Sequence, residues 1–517
     1  AAFRFLFLPP GPAHLTVRLG QHRRRVLVSV DGSVVGAIEP GGSLLEAEVV
    51  TRGTTVVDLT TEGFTAGGRR LGTILDEVAL APAGRSLPPL WLIASFACPA
   101  ILIALGGLRS GLGEPISGLV GALAAVFQGL LLHPSGVLFS KESIVVGAIL
   151  SLGGVLAAYG AGRQHGPAYV GLLLVVVVQG VCATSPQMVV SDAVLQANKL
   201  HAVSHGDLFP TSETQHIPPF RFPYGVSFFA LLSPFLALPI DPVALVRWGA
   251  ALSGMAASFA LLRLLLPRGA LWAAGAVVFL QLLPGSFDLY SYGNLSNVFA
   301  QSMTVLFCAW WMGATPGGAF TGALTLALAA LGHFSSFLVL LVLGPCLGLL
   351  GGHDLRKDKT RAVALGVGLG LALLYYSRFV PLAFSELGRL GEGGSGGSLP
   401  MALLAQLRAV RVQWGLPVLL LALGGLPRGR SDAFEGDSIA YWIAGAILAV
   451  AAVFSPLEVR YLYALTFPLV IAAGRGLARA LQHASLPLRL AAIFLLMAQA
   501  AIACREIAFD LFSRYRP

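Results

Sequence analysis

The sequence predicts a polytopic α-helical membrane protein, with about 14 transmembrane helices and one broken or re-entrant segment, preceded by a small all-β sandwich. Three observations predict it. Of 517 residues, 56% are hydrophobic and only 11% charged, with a mean hydropathy of +0.78, whereas soluble domains carry about 25% charged residues. The oily runs do not alternate, as in "VGLLLVVVVQGV" from Val170 to Val181, so helices rather than barrel strands satisfy the backbone in lipid. Residues 1–85 are a different material, in which apolar and polar positions alternate.

That N-terminal region reads as strands. "RRRVLVSVDGSVVGAIEPGG" alternates and then turns at Asp31-Gly32, a strong hairpin signal. "AEVVTRGTTVVDLTTEGF" and "ILDEVALAP" repeat the pattern. Residues 86–166 form an extension of extra transmembrane helices, and 167–517 form the main helical body. Oily segments fall at 90–107, 116–133, 143–161, 168–185, 224–240, 244–265, 269–284, 297–314, 317–332, 334–350, 362–381, 412–426, 438–455, 461–474 and 486–503. Several are shorter than the roughly 20 residues that span a bilayer, so tilted or broken helices are expected. Met401 to Val412, with Arg408 and Arg411, reads as an interfacial amphipathic helix. "GEGGSGGS" (Gly391 to Ser398) lacks the lysine and the strand–helix setting of a phosphate loop, and reads as a flexible connection.

Charge sets the topology. The net charge is +9, and much of it is loop arginine flanking helices, which positive-inside orientation explains without nucleic acid. The most basic short loop, "HDLRKDKTR", is placed in the cytoplasm. Counting outward adds "LLPRG" (Arg268), "PRGRSD" and Arg475/Arg479 to that face, and puts "GSFDLYSYGNLSN", "SELGRLGEGGSGGS" and "SPLEVRYLY" outside. Counting from the N-terminus puts the β domain and the loop after Val189 outside as well. The two counts differ by one crossing between Ser191 and Pro284. "PYGVSFFALLSPFLALPIDP", interrupted by Pro234 and Pro239, is therefore expected not to cross. The five cysteines lie in or beside oily segments without metal spacing, so neither a disulfide framework nor a cysteine metal site is expected. The chain opens at Ala1 without Met, which suggests a missing leader or upstream helix.

The polar island "VVSDAVLQANKLHAVSHGDLFP" (Val189 to Pro210) interrupts this apolar chain. Read as a helix, Ser191 to Ser204 has Ser191 as N-cap and puts Asp192, Gln196 and Lys199 on one face. Asp192 fits two roles there. It complements the helix dipole, worth about 0.3–1 kcal/mol, or it is a base at the membrane surface. The order is an oily helix, "SDAVLQANKLHAVSHGDLF", the Pro-rich "PPFRFPYGVSFFALL", then helices. It resembles integral-membrane glycosyltransferases that use polyprenyl-phosphate-linked sugars. Later pieces extend the resemblance over about Ala168 to Gly474: "YSYGNLSNVFAQ", "LGHFSSFLVLL" and "SPLEVRYLYALTFPLVIAAG". "TEGFTAGGRRLGTILDEVALAP" in turn resembles β-sandwich modules of some bacterial membrane sugar-handling proteins, and a packing or partner-holding module fits it equally. "HRRRV" (His22 to Val26) reads as a solvated strand or as an anionic patch-binder.

The resemblance implies a multi-pass protein of the bacterial cytoplasmic (inner) membrane with its β domain on the periplasmic side. It would transfer a sugar from a polyprenyl-phosphate donor to a glycan, lipid or protein acceptor. It implies Asp192 as general base, with Gly206 ending the short interfacial helix. Arg460 is the first candidate to balance the departing phosphate, with Arg221, Lys199 and Arg378 behind it. Arg460 equally fits a pair with Glu458 or a headgroup contact. His333 fits a ligand contact or a polar helix end. Asp288 fits a turn, or joins Asp192 around a divalent cation such as Mg or Mn. Tyr290, Tyr292 and Tyr461 fit sugar stacking or an interfacial aromatic belt. The chain departs from the family pattern where Ala193 follows Asp192 in place of a second acid, and in lacking a large C-terminal external domain. Two other classes stay open. One is a non-catalytic scaffold or accessory subunit whose extra helices and β domain hold partner subunits. The other is a lipid or sugar transporter or flippase, which would want mid-helix charges or an inverted repeat.

Overall fold

The computed structural model describes residues 2–5, 11–20, 24–51, 55–61, 64–66, 69–71, 75–82, 90–132, 141–163, 165–181, 192–213, 221–291, 293–313, 317–382, 384–385, 408, 410–427, 429, 432–453 and 466–512. The chain divides into two compact units, 1–108 with 113–155, and 109–112 with 156–517.

In the first unit, strands β1 (Ala2–Phe5), β6 (Thr55–Thr61), β3 (Val26–Val30) and β4 (Ser33–Ile38) form one antiparallel sheet in that order. Strands β5 (Leu44–Thr51), β2 (Gly11–Leu19) and β9 (Leu75–Pro82) form a second. A short hairpin, β7 (Phe64–Ala66) with β8 (Arg69–Leu71), is separate. The alternation read in the sequence sorts the faces: Leu15, Val17 and Val49 of one sheet share a core with Val26, Val28, Val57 and Leu59 of the other. Two sheets burying one core make a sandwich. Its expected hairpin is present. Asp31 (φ 48°) and Gly32 (φ 82°) take the left-handed conformations that a two-residue turn needs, and the Asp31 carboxylate accepts from Val56 N at 2.7 Å.

Three helices follow: α1 (Leu90–Arg109), α2 (Glu114–Leu132) and α3 (Lys141–Ala161). They meet at small residues, Gly121 against Ala100 and Gly147 against Ser95, as apolar helices pack when no water drives them together. Gln128 Nε2 ties all three, donating to Ser95 O at 3.1 Å and Ser143 O at 3.2 Å.

The second unit is helical. Its elements are α4 (Gly166–Val175), continued by a π-helical turn at Val176–Val181, α5 (Ala193–Ser204), the β10–β11 hairpin (Thr211–Glu213 with Arg221–Pro223), α6 (Ser227–Leu232), α7 (Pro242–Leu265), α8 (Ala270–Leu282), α9 (Pro284–Ser291), α10 (Leu295–Trp311), α11 (Ala319–Gly332), α12 (Phe334–Leu350), α13 (Lys359–Ser377), α14 (Leu416–Gly425), α15 (Ala433–Val453), α16 (Thr466–Gln482) and α17 (Leu486–Phe512). Across the described residues, six helices are long and apolar enough to cross a membrane, and others are shorter apolar helices. The expected helix at 401–412 lies largely outside the described residues, which are helical at 408 and 410–414.

Three helices set the scale of this unit. α10 and α12 have 17 residues and α13 has 19, so each is roughly 25–29 Å long. One end of each lies in a polar layer around Asp192 and Tyr224. The other end lies in a second layer containing Trp311, Gly352, Arg361 and Asp437. The basic loops that the sequence grouped do come together in that second layer: Arg268 stacks on Phe434 at 3.9 Å and Arg475 pairs with Glu435.

The segment expected to be broken is broken. α6 has six residues, a 3₁₀ turn runs from Ser233 to Ala237 with Pro234 in its first turn, and the chain is extended at Leu238. It begins at Tyr224 in the first layer. It ends at Asp241, the N-cap of α7, whose far end leads to Arg268 in the second layer. The segment thus offers eleven residues of broken helix, too few for a regular 20-residue span.

Candidate functional site

Tyr224 is the centre of the first layer, and the sequence did not single it out. It is 6% exposed. Its hydroxyl accepts from Gln196 Nε2 at 2.8 Å and from Ser296 Oγ at 3.3 Å, joining α5 to α10. Lys199, one turn further along α5, sits with Nζ 4.4 Å from the Tyr224 ring centroid and donates to Thr211 O at 3.1 Å. Burial lowers the Lys199 pKa from its usual value, partly opposed by Asp207. His333, 3% exposed, meets the Tyr224 ring edge-on at 6.2 Å. Its Nδ1 accepts from Ser335 N at 3.2 Å, which caps α12. The polar helix-end role is therefore filled.

The backbone around Tyr224 is held by close approach. A Cβ on Gly225 would lie 2.2 Å from Gly332 O, so only glycine lets Val226 N reach Leu331 O at 2.7 Å. Tyr375 OH donates to Tyr224 O at 3.2 Å and stacks on Phe209 at 5.4 Å, and Arg378 lies 5.7 Å from the Phe209 ring. Arg221 is exposed on β11, opposite Glu213 of β10. The structure thus gathers Lys199, His333 and Arg378 around Tyr224, Phe209 and Tyr375.

Asp192 occupies the N-cap position of α5 rather than its first turn, and Ser191, the expected cap, lies outside the described residues. Its carboxylate accepts no hydrogen bond from the α5 first-turn amides, and the residue is exposed. Its place at the helix N-terminus still suits the helix dipole. The second loop meets it directly: Gly293 (φ 78°) faces Asp192, and a Cβ there would stand 2.6 Å from Asp192 N. Asp288 lies in α9, a helix rather than the expected turn, because Pro284 starts a helix that Gly293 ends. Tyr290, in the same helix, is buried and donates to Arg247 O at 3.1 Å, so it anchors α9 rather than lining a surface. Tyr292, Arg460 and Tyr461 lie outside the described residues, as does the "GEGGSGGS" loop. Among the described residues no three His, Cys, Asp or Glu side chains converge as a metal centre would.

Below this layer the helical unit holds a partly open cavity of about 80 Å³. Its polar walls come from Gln179, Gln281, Asn297, Gln301 and Ser335, and its apolar walls from Leu280, Val339 and Phe467. Gln179 and Gln281 each stand alone in an oily run, where averaged hydropathy hides them, whereas Asn297 and Gln301 lie in the quoted "YSYGNLSNVFAQ". No protein-family model matches the chain, and no curated protein sequence is similar to it at a significant level.

Proposed function

We propose that this chain is a membrane glycosyltransferase that moves a sugar from a polyprenyl-phosphate-linked donor to an acceptor hydroxyl at the membrane face bearing Asp192. The observation that carries this reading is the junction of two loops distant in sequence. Gly293 closes on the backbone of an exposed Asp192, while two cationic side chains, Lys199 and Arg378, rest on the Tyr224 and Phe209 rings. A base and a phosphate-binding surface must be neighbours for this reaction. The acceptor oxygen forms a bond to the anomeric carbon as the bond from that carbon to the phosphate oxygen breaks. The hydroxyl proton passes to Asp192, and the bonding electrons leave with the phosphate. Lys199, Arg221 and Arg378, together with Arg460, supply the positive charge that growing negative charge requires. Positive-inside placement of the Arg268, Arg361 and Arg475 layer supports an external location for the Asp192 face, in a bacterial inner membrane. The β sandwich would then hold an acceptor glycan or a partner subunit.

The test is transfer by purified wild type and Asp192→Asn from a panel of polyprenyl-phosphate sugars, with and without Mg²⁺ or Mn²⁺. Wild type is expected to transfer, and a folded Asn variant to lose about 10²–10⁴-fold. Full activity in the variant removes Asp192 as the base. Use of no donor by wild type favours a non-catalytic accessory subunit.

A further inference from the structure

The cavity below the Asp192 layer has a chemistry of its own. Its polar lining comprises amides and hydroxyls, with no Asp, Glu, Lys, Arg or His among its described lining residues. Two of those amide atoms are buried without a hydrogen-bond partner, Asn297 Nδ2 and Gln179 Oε1. Asn297 is 1% exposed, and its other end already accepts from Gln301 Nε2 at 3.3 Å. Gln179 donates to Gln281 Oε1 at 2.9 Å, and Gln281 donates on to Ser258 Oγ at 3.0 Å. A buried amide end left unbonded costs about 1–3 kcal/mol. Two around one cavity mark a place where something polar belongs.

The sequence has gone to some length to present Gln179. It lies in the π-helical turn that continues α4, an irregularity concentrated at functional sites. Gly254 of α7 leaves the space that the amide fills, since a Cβ there would stand 2.9 Å from Gln179 Oε1.

The unbonded pair is one donor and one acceptor. A bare cation satisfies only acceptors and an anion only donors, whereas a hydroxyl group does both. The bonds that the other ends make fix this assignment: turning Asn297 over would set Nδ2 against Gln301 Nε2, and turning Gln179 over would set Oε1 against Gln281 Oε1. Tyr441 and Phe467, with ring centroids 5.5 Å apart, add aromatic surface to the wall. A ligand with a hydroxyl edge and a C–H face fits both walls. The space corresponds to about half a dozen waters, which the hydroxyls of one sugar ring can replace.

We propose that this cavity is a binding site for an uncharged, polyhydroxylated ring, the pyranoside class, and that it rejects ionised sugars. The proposal does not depend on the transfer reaction. A charged ring would enter a low-dielectric site with no counter-charge among the described lining, at a cost that hydrogen bonds do not recover.

The test uses the full chain in lipid nanodiscs prepared without glycoside detergents, whose headgroups would compete. Saturation-transfer NMR and titration would be run with methyl glucopyranoside, glucosamine and glucuronate. Wild type is expected to bind the neutral probe, and at least about tenfold more tightly than either charged one. Asn297→Leu should weaken the neutral probe about tenfold, the effect of one lost buried hydrogen bond. Val339→Phe, which fills the cavity from α12 without removing a polar group, should abolish binding while the variant keeps its elution profile and melting temperature. Equal binding of all three probes overturns the uncharged specificity. Neutral binding that survives both substitutions places the ligand elsewhere and overturns the site. No neutral binding by wild type leaves a water-filled cavity only, and also overturns it.

Discussion

The two polar layers of the helical unit use charge in opposite ways. In the layer around Asp437, charges are answered by protein. Asp437 is fully buried, accepts from Gly352 N at 2.9 Å and lies 3.2 Å from His353 Nε2. Arg361 pairs with Asp358 and donates to Trp311 O at 2.8 Å, and Arg475 pairs with Glu435 and lies 5.0 Å from the Trp272 ring. In the layer around Tyr224, Lys199 and Arg378 rest on aromatic rings, and Asp192 does not cap its own helix. One layer is a closed network that locks helix ends together. The other keeps charge available. Helix α13 carries both conditions on one rod, Asp358 at its N-cap and Arg378 at its C-cap. The contrast is therefore a matter of position along the helix and not of different helices.

This contrast can be broken from either side. The largest effect should come from the closed layer. Arg475→Met leaves Glu435, a buried carboxylate, without its partner, and thermal or denaturant unfolding should report a loss of about 3–5 kcal/mol. Transfer per folded molecule should stay near wild type; a specific loss of transfer would mean that this layer also serves the reaction. Next is Gly293→Val, which forces the two loops apart at Asp192. A displacement of an ångström is expected to lower transfer about a hundredfold, with a smaller change in unfolding.

Lys199→Met sharpens the comparison. It removes a cation from the open layer, so stability should change by no more than about 1 kcal/mol, while affinity for an anionic lipid should fall. Because burial depresses the Lys199 pKa, its charge, and anion binding with it, is present at low pH. It is lost on raising pH at a point below the 10.5 of a free lysine. Lys199→Arg should remove that pH dependence, as measured by lipid-phosphate binding across pH. Asp358→Asn should have the smallest effect, about 0.5–1 kcal/mol for a partly exposed pair. Burial opposes ionisation of Asp358, but the hydrogen bonds from Arg361 outweigh it and lower its pKa. Its contribution is thus present above the usual 3.8 and is lost as pH falls through the lowered value. Unfolding of wild type and variant should converge in that acid range.

Much of this architecture was legible in the sequence because it follows from periodicity and charge. Alternation marked the strands, Asp31-Gly32 marked the turn, and basic loops marked the helix ends that gather in one layer. Pro234 and Pro239 marked the segment whose helix is broken. What was not legible depends on contacts between distant residues. Nothing local in "FRFPYG" distinguishes Tyr224 from a belt tyrosine; its role comes from Gln196, Ser296 and Tyr375. The pairing of His353 with Asp437 joins a turn to a helix start 84 residues away. Gln179 and Gln281 are single polar letters in apolar runs, and only their meeting at 2.9 Å reveals a cavity. The π-helical turn has no sequence signature. Arg460, the first choice for the phosphate, was read from a motif outside the described residues.

The 17-residue helices α10 and α12 have one further consequence. Each rises about 26 Å; α10 is tied at both ends, through Ser296 to Tyr224 and through Trp311 to Arg361, and α12 is tied just beyond its far end, through Gly352 to Asp437. Neither can lengthen to suit a hydrocarbon core of roughly 30 Å. Neither has to, because both are mostly buried; the more exposed apolar spans, Lys359–Ser377 and Leu486–Ile507, rise about 28–33 Å. The spacing of the two polar layers is thus set from inside the bundle, independently of the acyl chains that meet its outer helices.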